Sequence, residues 1–120
     1  MKTVQKKWGN ELNWIVNNKK YCGKILTLNA GQNCSLHYHK IKHETFYVLS
    51  GEAILEYGRK KRLLSKGDVQ TIPIGMKHRI IATTKTKIIE FSTQHFDSDS
   101  HRISTDFTDK IIKLKDEKDS

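Results

Sequence analysis

Residues 31–51 read GQNCSLHYHKIKHETFYVLSG, and both the fold and the chemistry of the chain turn on them. Side chains alternate faces along an extended strand, so His37 and His39 share one face with Ser35, while Leu36 and Tyr38 take the other. Two imidazoles on one face can reach a single ion, where adjacent ones cannot. Glu44 opens the next apolar stretch, after a turn over Lys40–His43, and can sit across from His39 with an anionic oxygen. Phe46 and Val48 follow on its face and are expected to pack below it. An apolar surround there raises the cost of leaving a charged group unpartnered.

A second stretch, residues 67–82, reads GDVQTIPIGMKHRIIA. His78 comes too late in the chain to belong to the first hairpin by local accident. Pro73 fixes one backbone torsion and Gly75 permits positive φ, so a rigid turn can aim the histidine that follows. Gly51 and Gly67 mark hairpin corners. Three imidazoles and a carboxylate (His37, His39, Glu44 and His78) form a common donor set for one divalent transition metal. Iron, manganese, nickel, cobalt and zinc all accept such donors. Taken singly, each histidine reads as an ordinary strand residue and Glu44 as a surface carboxylate. The joint pattern is what points to a site. His43, His95 and His101 have no partner spacing of that kind.

Period-two alternation runs from about Lys24 to Ser92. It predicts strands at Lys24–Leu28, Cys34–Tyr38, Thr45–Leu49, Glu52–Tyr57, Arg62–Leu64, Val69–Ile72, His78–Ala82 and Lys87–Phe91, with a basic hairpin tip at Gly58–Lys61. Trp14, Ile15 and Val16 favour a strand or extended arm over Glu11–Asn18. Short strands at this spacing, with no helical pattern between them, imply a sandwich or barrel of antiparallel sheets. Phe46, Tyr47, Val48, Ile54, Leu55, Ile80 and Phe91 are read as its packing residues. Tyr38 and Trp8 can offer aromatic faces to a sugar ring, but core or interface is the plainer use. Residues 1–106 are expected to form one domain with an N-terminal arm, and 107–120 a charged extension, loose toward its end.

A chain of 120 residues is one domain by length. Its net charge of +9 does not make nucleic acid the expected partner. The lysines are scattered, and no helix-turn-helix, zinc-finger or aromatic RNA-binding signature accompanies them. The excess charge suits an anionic small molecule better. Cys22 and Cys34, with no CxxC, favour a reduced cytosolic chain. No stretch is long and apolar enough to span a bilayer, so a soluble cytoplasmic protein is expected, with no membrane partner.

The two stretches resemble the paired motifs of the cupin superfamily, Gly-x5-His-x-His-x4-Glu-x6-Gly and Gly-x5-Pro-x-Gly-x2-His-x3-Asn. The first fits throughout. The second fits to its last position, where Ala82 replaces an asparagine that is not a metal ligand in that family. The resemblance implies an all-β double-stranded β-helix, or jelly roll, with one metal inside one end. Lys6-Lys7-Trp8-Gly9, Ser35-Leu36, Ile72-Pro73, His78-Arg79 and Asp97–Arg102 are further similar to cupin-type mannose-6-phosphate isomerases. Those enzymes commonly carry glutamine where His37 stands and proline where Lys7 stands. That closer resemblance implies a metal-dependent sugar or sugar-phosphate isomerase. Arg102 is its first candidate anion contact and Arg79 a weaker one, because alternation turns Arg79 away from His78. Glu90 and His95 are weak candidates for the catalytic base. A metal-dependent dioxygenase and a non-catalytic metal- and carbohydrate-binding module are the alternatives. Exposed edge strands suggest a homodimer through the N-terminal arm.

Overall fold

In a computed structural model, described for residues 2–6 and 10–103, the chain is all-β apart from one 3-10 turn at Asp97–Asp99. The strands are β1 (Lys2–Lys6), β2 (Asn10–Asn17), β3 (Cys22–Leu28), β4 (His37–Tyr38), β5 (Glu44–Ser50), β6 (Glu52–Tyr57), β7 (Lys60–Ser65), β8 (Val69–Ile72), β9 (His78–Ala82), β10 (Thr86–Ser92) and β11 (His101–Arg102). They pair antiparallel in two sheets. One runs β1-β2-β3-β10-β5-β8 and the other β11-β4-β9-β6-β7. These are the antiparallel sheets that the alternation implied, in the jelly-roll arrangement that the resemblance implied.

The core lies between the sheets. Leu28, Val48, Leu55, Leu64 and Ile88 are fully enclosed, with Phe46, Ile72 and Ile80 beside them. Each is an alternate residue of its strand, so one face of β3 and of β5 to β10 is committed to this interior. The opposite face of the six-stranded sheet is wet. Tyr47 and Phe91 are exposed there, not packed inside as expected, and Ile54 on the other sheet is half-buried. The reason is parity. Tyr47 lies between Phe46 and Val48, and Phe91 follows Glu90, so both take the outward face.

Gly51 makes the corner between β5 and β6 at φ +84. A Cβ there would overlap the Lys85 carbonyl and Thr86, so both torsion and space require glycine. The strand expected over Cys34–Tyr38 is shorter than its pattern. Before His37 the segment follows β9 through separate contacts: Gly31 donates to Ala82 O, Cys34 to Ile80 O, and Asn33 bridges Ile81. β2 bulges between Trp14 and Val16, where the register on β3 shifts. β1 and β11 have no counterpart in the sequence reading. Lys7, Trp8, Gly9 and the extension over 107–120 lie outside the described residues.

Candidate metal centre

Three strand ends meet at one end of the barrel. β4 begins with His37, β9 with His78 and β5 with Glu44, and His37 and His78 face each other in register. His39 lies just past β4. The turn that aims His78 is held by Met76 N–H donating to Pro73 O, and Gly75 N–H donates to the His39 carbonyl at 2.7 Å. The proline turn and the first histidine pair are therefore joined by main chain.

The protonation of the rings follows from their partners. His37 Nδ1 lies 2.7 Å from Ser35 O, His39 Nδ1 3.0 Å from Asp99 O, and His78 Nδ1 2.9 Å from Met76 O. A carbonyl can only accept, so each Nδ1 carries a proton and each Nε2 is the ring atom left to turn toward an ion. Burial pushes the His37 imidazole down to about 3, helped by His78, and burial with the Lys42 charge lowers His39. Burial alone would raise the Glu44 carboxyl. The close approach of His78 and the Lys42 ammonium outweigh it and hold the group well below the usual carboxylate range.

Four electron-pair donors thus face one another in a dry place. One ligand atom from each of His37, His39, Glu44 and His78 lies within 4.8 Å of all the others. Glu44 Oε1 is 2.7 Å from His78 Nε2 and 3.6 Å from His39 Nε2. Those two nitrogens and both Glu44 oxygens are buried without an aligned hydrogen-bond partner. Donor atoms this close repel unless a proton or a metal ion sits among them. The set is therefore suited to one divalent transition metal. Borderline nitrogen and oxygen donors do not select one metal of that series.

His37, His39 and His78 line a cavity of about 410 Å³ that lies between the two sheets. Lys24, Lys42, Glu90, His95 and Trp14 line it too, with the exposed Arg102 at the rim. Both lysines approach the same atom, Glu90 Oε2, Lys42 at 3.0 Å and Lys24 at 3.3 Å. Lys42 Nζ is also 3.3 Å from Glu44 Oε2. Burial would lower the Lys42 pKa, but Glu90 and Glu44 raise it. His95 is held by Asn17, which bonds both its N–H and its carbonyl. Its Nδ1 lies 3.2 Å from Lys42 Nζ and its Nε2 2.9 Å from Asp97 Oδ1. An ammonium can only donate, so Nδ1 accepts and Nε2–H donates to Asp97. Burial and the two lysines push His95 down to about 4.

The sequence-derived candidates thus divide. Glu90 and His95 line the cavity, as does Arg102, which pairs with His37 in the β4–β11 register. Arg79 does not line it: its Nη2 binds Glu56 Oε2 at 3.0 Å on the opposite face of β9. The alternation that counted against Arg79 also points Lys24 inward with Leu26 and Leu28, a signal the sequence reading passed over. Lys42 sits in a turn and gave no such signal. Cys34 lines the cavity as a half-buried residue whose thiol burial pushes up to about 11.

The described geometry has relatives. The solved structure of KdgF from a Halomonas species superposes with a TM-score of 0.75 at 19% identity, covering 82% of this chain and 90% of that one. An RmlC-like cupin from Shewanella frigidimarina gives 0.75 at 16% identity, covering 81% and 86%. The capsular polysaccharide assembling protein CapF from Staphylococcus aureus gives 0.75 at 19% identity, over 87% of this chain but 34% of that one. At these identities the likeness is one of fold. No curated protein matches the sequence. The family model described as a cupin domain matches residues 24–92, more than half of the chain, and the protein belongs to the cupin superfamily.

Proposed function

We propose that this cupin binds one divalent metal through His37, His39, Glu44 and His78, and isomerises a sugar or sugar phosphate in the cavity beside it. The observation that carries the proposal is the convergence of three imidazoles and a carboxylate beside a cavity that also holds acid and base groups. When bound, the metal supplies a Lewis acid for a carbonyl and its neighbouring hydroxyl. Aldose–ketose exchange then requires a proton to move between adjacent carbons. Glu90 supports the role of base. It is buried, it lines the cavity, and both lysine contacts fall on Oε2, leaving Oε1 clear of them. His95, neutral and oriented by Asp97 and Lys42, is the second group able to hold that proton. Arg102 at the rim can receive a phosphate.

A second reading, a module that binds a carbohydrate without turnover, draws on the same lysines. Both ammoniums lie on Glu90 Oε2, where they can hold an anionic ligand with no proton transfer. A dioxygenase has no specific observation in its favour. The likeness to CapF, a protein named for assembling capsular polysaccharide, supports a carbohydrate ligand. The homodimer belongs to the proposal too. β1 ends the six-stranded sheet, and Val69, Tyr47, Ile89 and Ile25 form an apolar row across its outer face. A reducing cytoplasm suits the two free thiols, Cys22 and Cys34.

Metal analysis of untagged protein beside His37→Ala and His78→Ala tests the cage. Metal held by the parent and lost in both variants is the expected result. The metal-loaded protein is then incubated with aldoses and their phosphates and followed by NMR. A panel left unchanged ends the isomerase reading, and tight binding within that panel would favour the binding module.

A further inference from the structure

The cavity carries a charge pattern that goes beyond the cage. Lys24 is 5% exposed in the middle of a core strand, 3.3 Å from Glu90 Oε2, with its Nζ 4.6 Å above the Trp14 ring. Lys42 is 2% exposed and touches the same Glu90 oxygen and Glu44. Three cationic groups, Lys24, Lys42 and Arg102, meet three anionic ones, Glu44, Glu90 and Asp97. These six charges cancel. A divalent ion on Glu44 and three neutral imidazoles leaves two positive charges in excess. Once Glu44 serves the ion, the two buried ammoniums share the single carboxylate of Glu90. Asp99 stands outside the cavity lining, its carboxylate turned to the amides of Lys40, Ile41 and Lys42, and even counted in full it leaves one positive charge in excess. Excess buried charge is costly unless a partner supplies its counter-charge.

From this balance we infer that the cavity is built for an anionic ligand, a sugar acid or sugar phosphate, and that Lys24 and Glu90 set the preference for anion over neutral sugar. The inference rests on the proposed metal site and deepens it. The neutral rings and Trp14 accommodate the body of such a ligand, while the surplus charge selects its acidic group. A sugar carboxylate and a phosphate monoester share this chemistry, and matched compounds separate them.

The test uses the full chain loaded with zinc, with zinc content measured before any ligand is added. Titration calorimetry compares galactose with galacturonate and mannose with mannose 6-phosphate, with inorganic phosphate as the bare anion. Each anionic compound is expected to bind about tenfold or more tightly than its neutral partner. The tighter of uronate and sugar phosphate identifies the acidic group. Lys24→Met should narrow that gap several-fold, Lys24→Arg should keep it, and Glu90→Gln should widen it. If Lys24→Met does not fold, the widening in Glu90→Gln carries the test. Equal affinity for neutral and anionic partners, no binding of any of them, or a gap unmoved in the folded, loaded variants overturns the inference. A parent chain that takes up no zinc fails at the first measurement, which sinks the metal reading and this inference with it.

Discussion

The carbonyl of Asp99 accepts the Nδ1 proton of His39 at 3.0 Å, across sixty residues of sequence. The Asp99 carboxylate at the same time accepts the amides of Lys40, Ile41 and Lys42 at 2.8, 3.1 and 2.9 Å. Burial would raise its pKa, but these amides hold it below the ordinary value. One residue from the 3-10 turn thus fixes both the imidazole and the loop that leads from it to Glu44.

Asp99→Ala should therefore loosen the cage without removing a ligand. Losing a support of this kind typically lowers metal affinity by about 10- to 100-fold. Chelator competition against parent protein measures it, and an unchanged affinity in a folded variant would show that the loop holds itself. Asp99→Asn keeps one acceptor oxygen and should fall between the two.

Metal should raise thermal stability, because a ligand that binds the folded chain stabilises it by mass action. Melting followed by circular dichroism, with and without a strong chelator, is expected to show a lower midpoint in chelator for the parent. His78→Ala should show no such difference. Equal midpoints for the chelated and metal-replete parent would speak against a bound ion.

Acid should destabilise the metal-free chain over a defined window. His95 is pushed down to about 4 and His37 to about 3 from an ordinary 6.5. Between those values the unfolded chain binds protons that the folded chain refuses, so stability is complete above about pH 6.5 and is lost as pH falls toward 4. Urea titrations across that range should show the decline, and His95→Gln should make it shallower. A parent whose stability is flat from pH 7 to 4 would contradict the assigned neutral rings.

Gly51→Ala should cost about 2–4 kcal/mol, since it adds both an unfavourable torsion and a steric overlap. Chemical denaturation gives the figure. A loss under about 0.5 kcal/mol would mean that the corner relaxes away from Lys85 and Thr86. Gly31, at φ +80 with no atom near its would-be Cβ, is the control, limited to the torsional part.

Much of this architecture was legible in the sequence because strands write their burial in parity. Glu44, Phe46 and Val48 share the inward face, as the alternation required. The four members of the cluster were readable for the same reason, with the turn before His78 as a second sign. What escaped the pattern was written in another code. Tyr47 and Phe91 are apolar by composition but outward by parity, and composition misled. Lys24 is charged by composition but inward by parity, and was overlooked. Lys42 and Asp99 act from a turn and a 3-10 segment, where no period applies and position depends on tertiary hydrogen bonds. The short β11, paired to β4 by two residues, has no pattern long enough to detect.

The partners that orient His37, His39 and His78 are all main-chain carbonyls. A backbone oxygen cannot be deleted by a point mutation. Drift in side chains elsewhere can redraw the far wall around Lys24, Glu90 and His95, and so recruit new ligands, while the aim of the three rings passes unaltered from one descendant to the next.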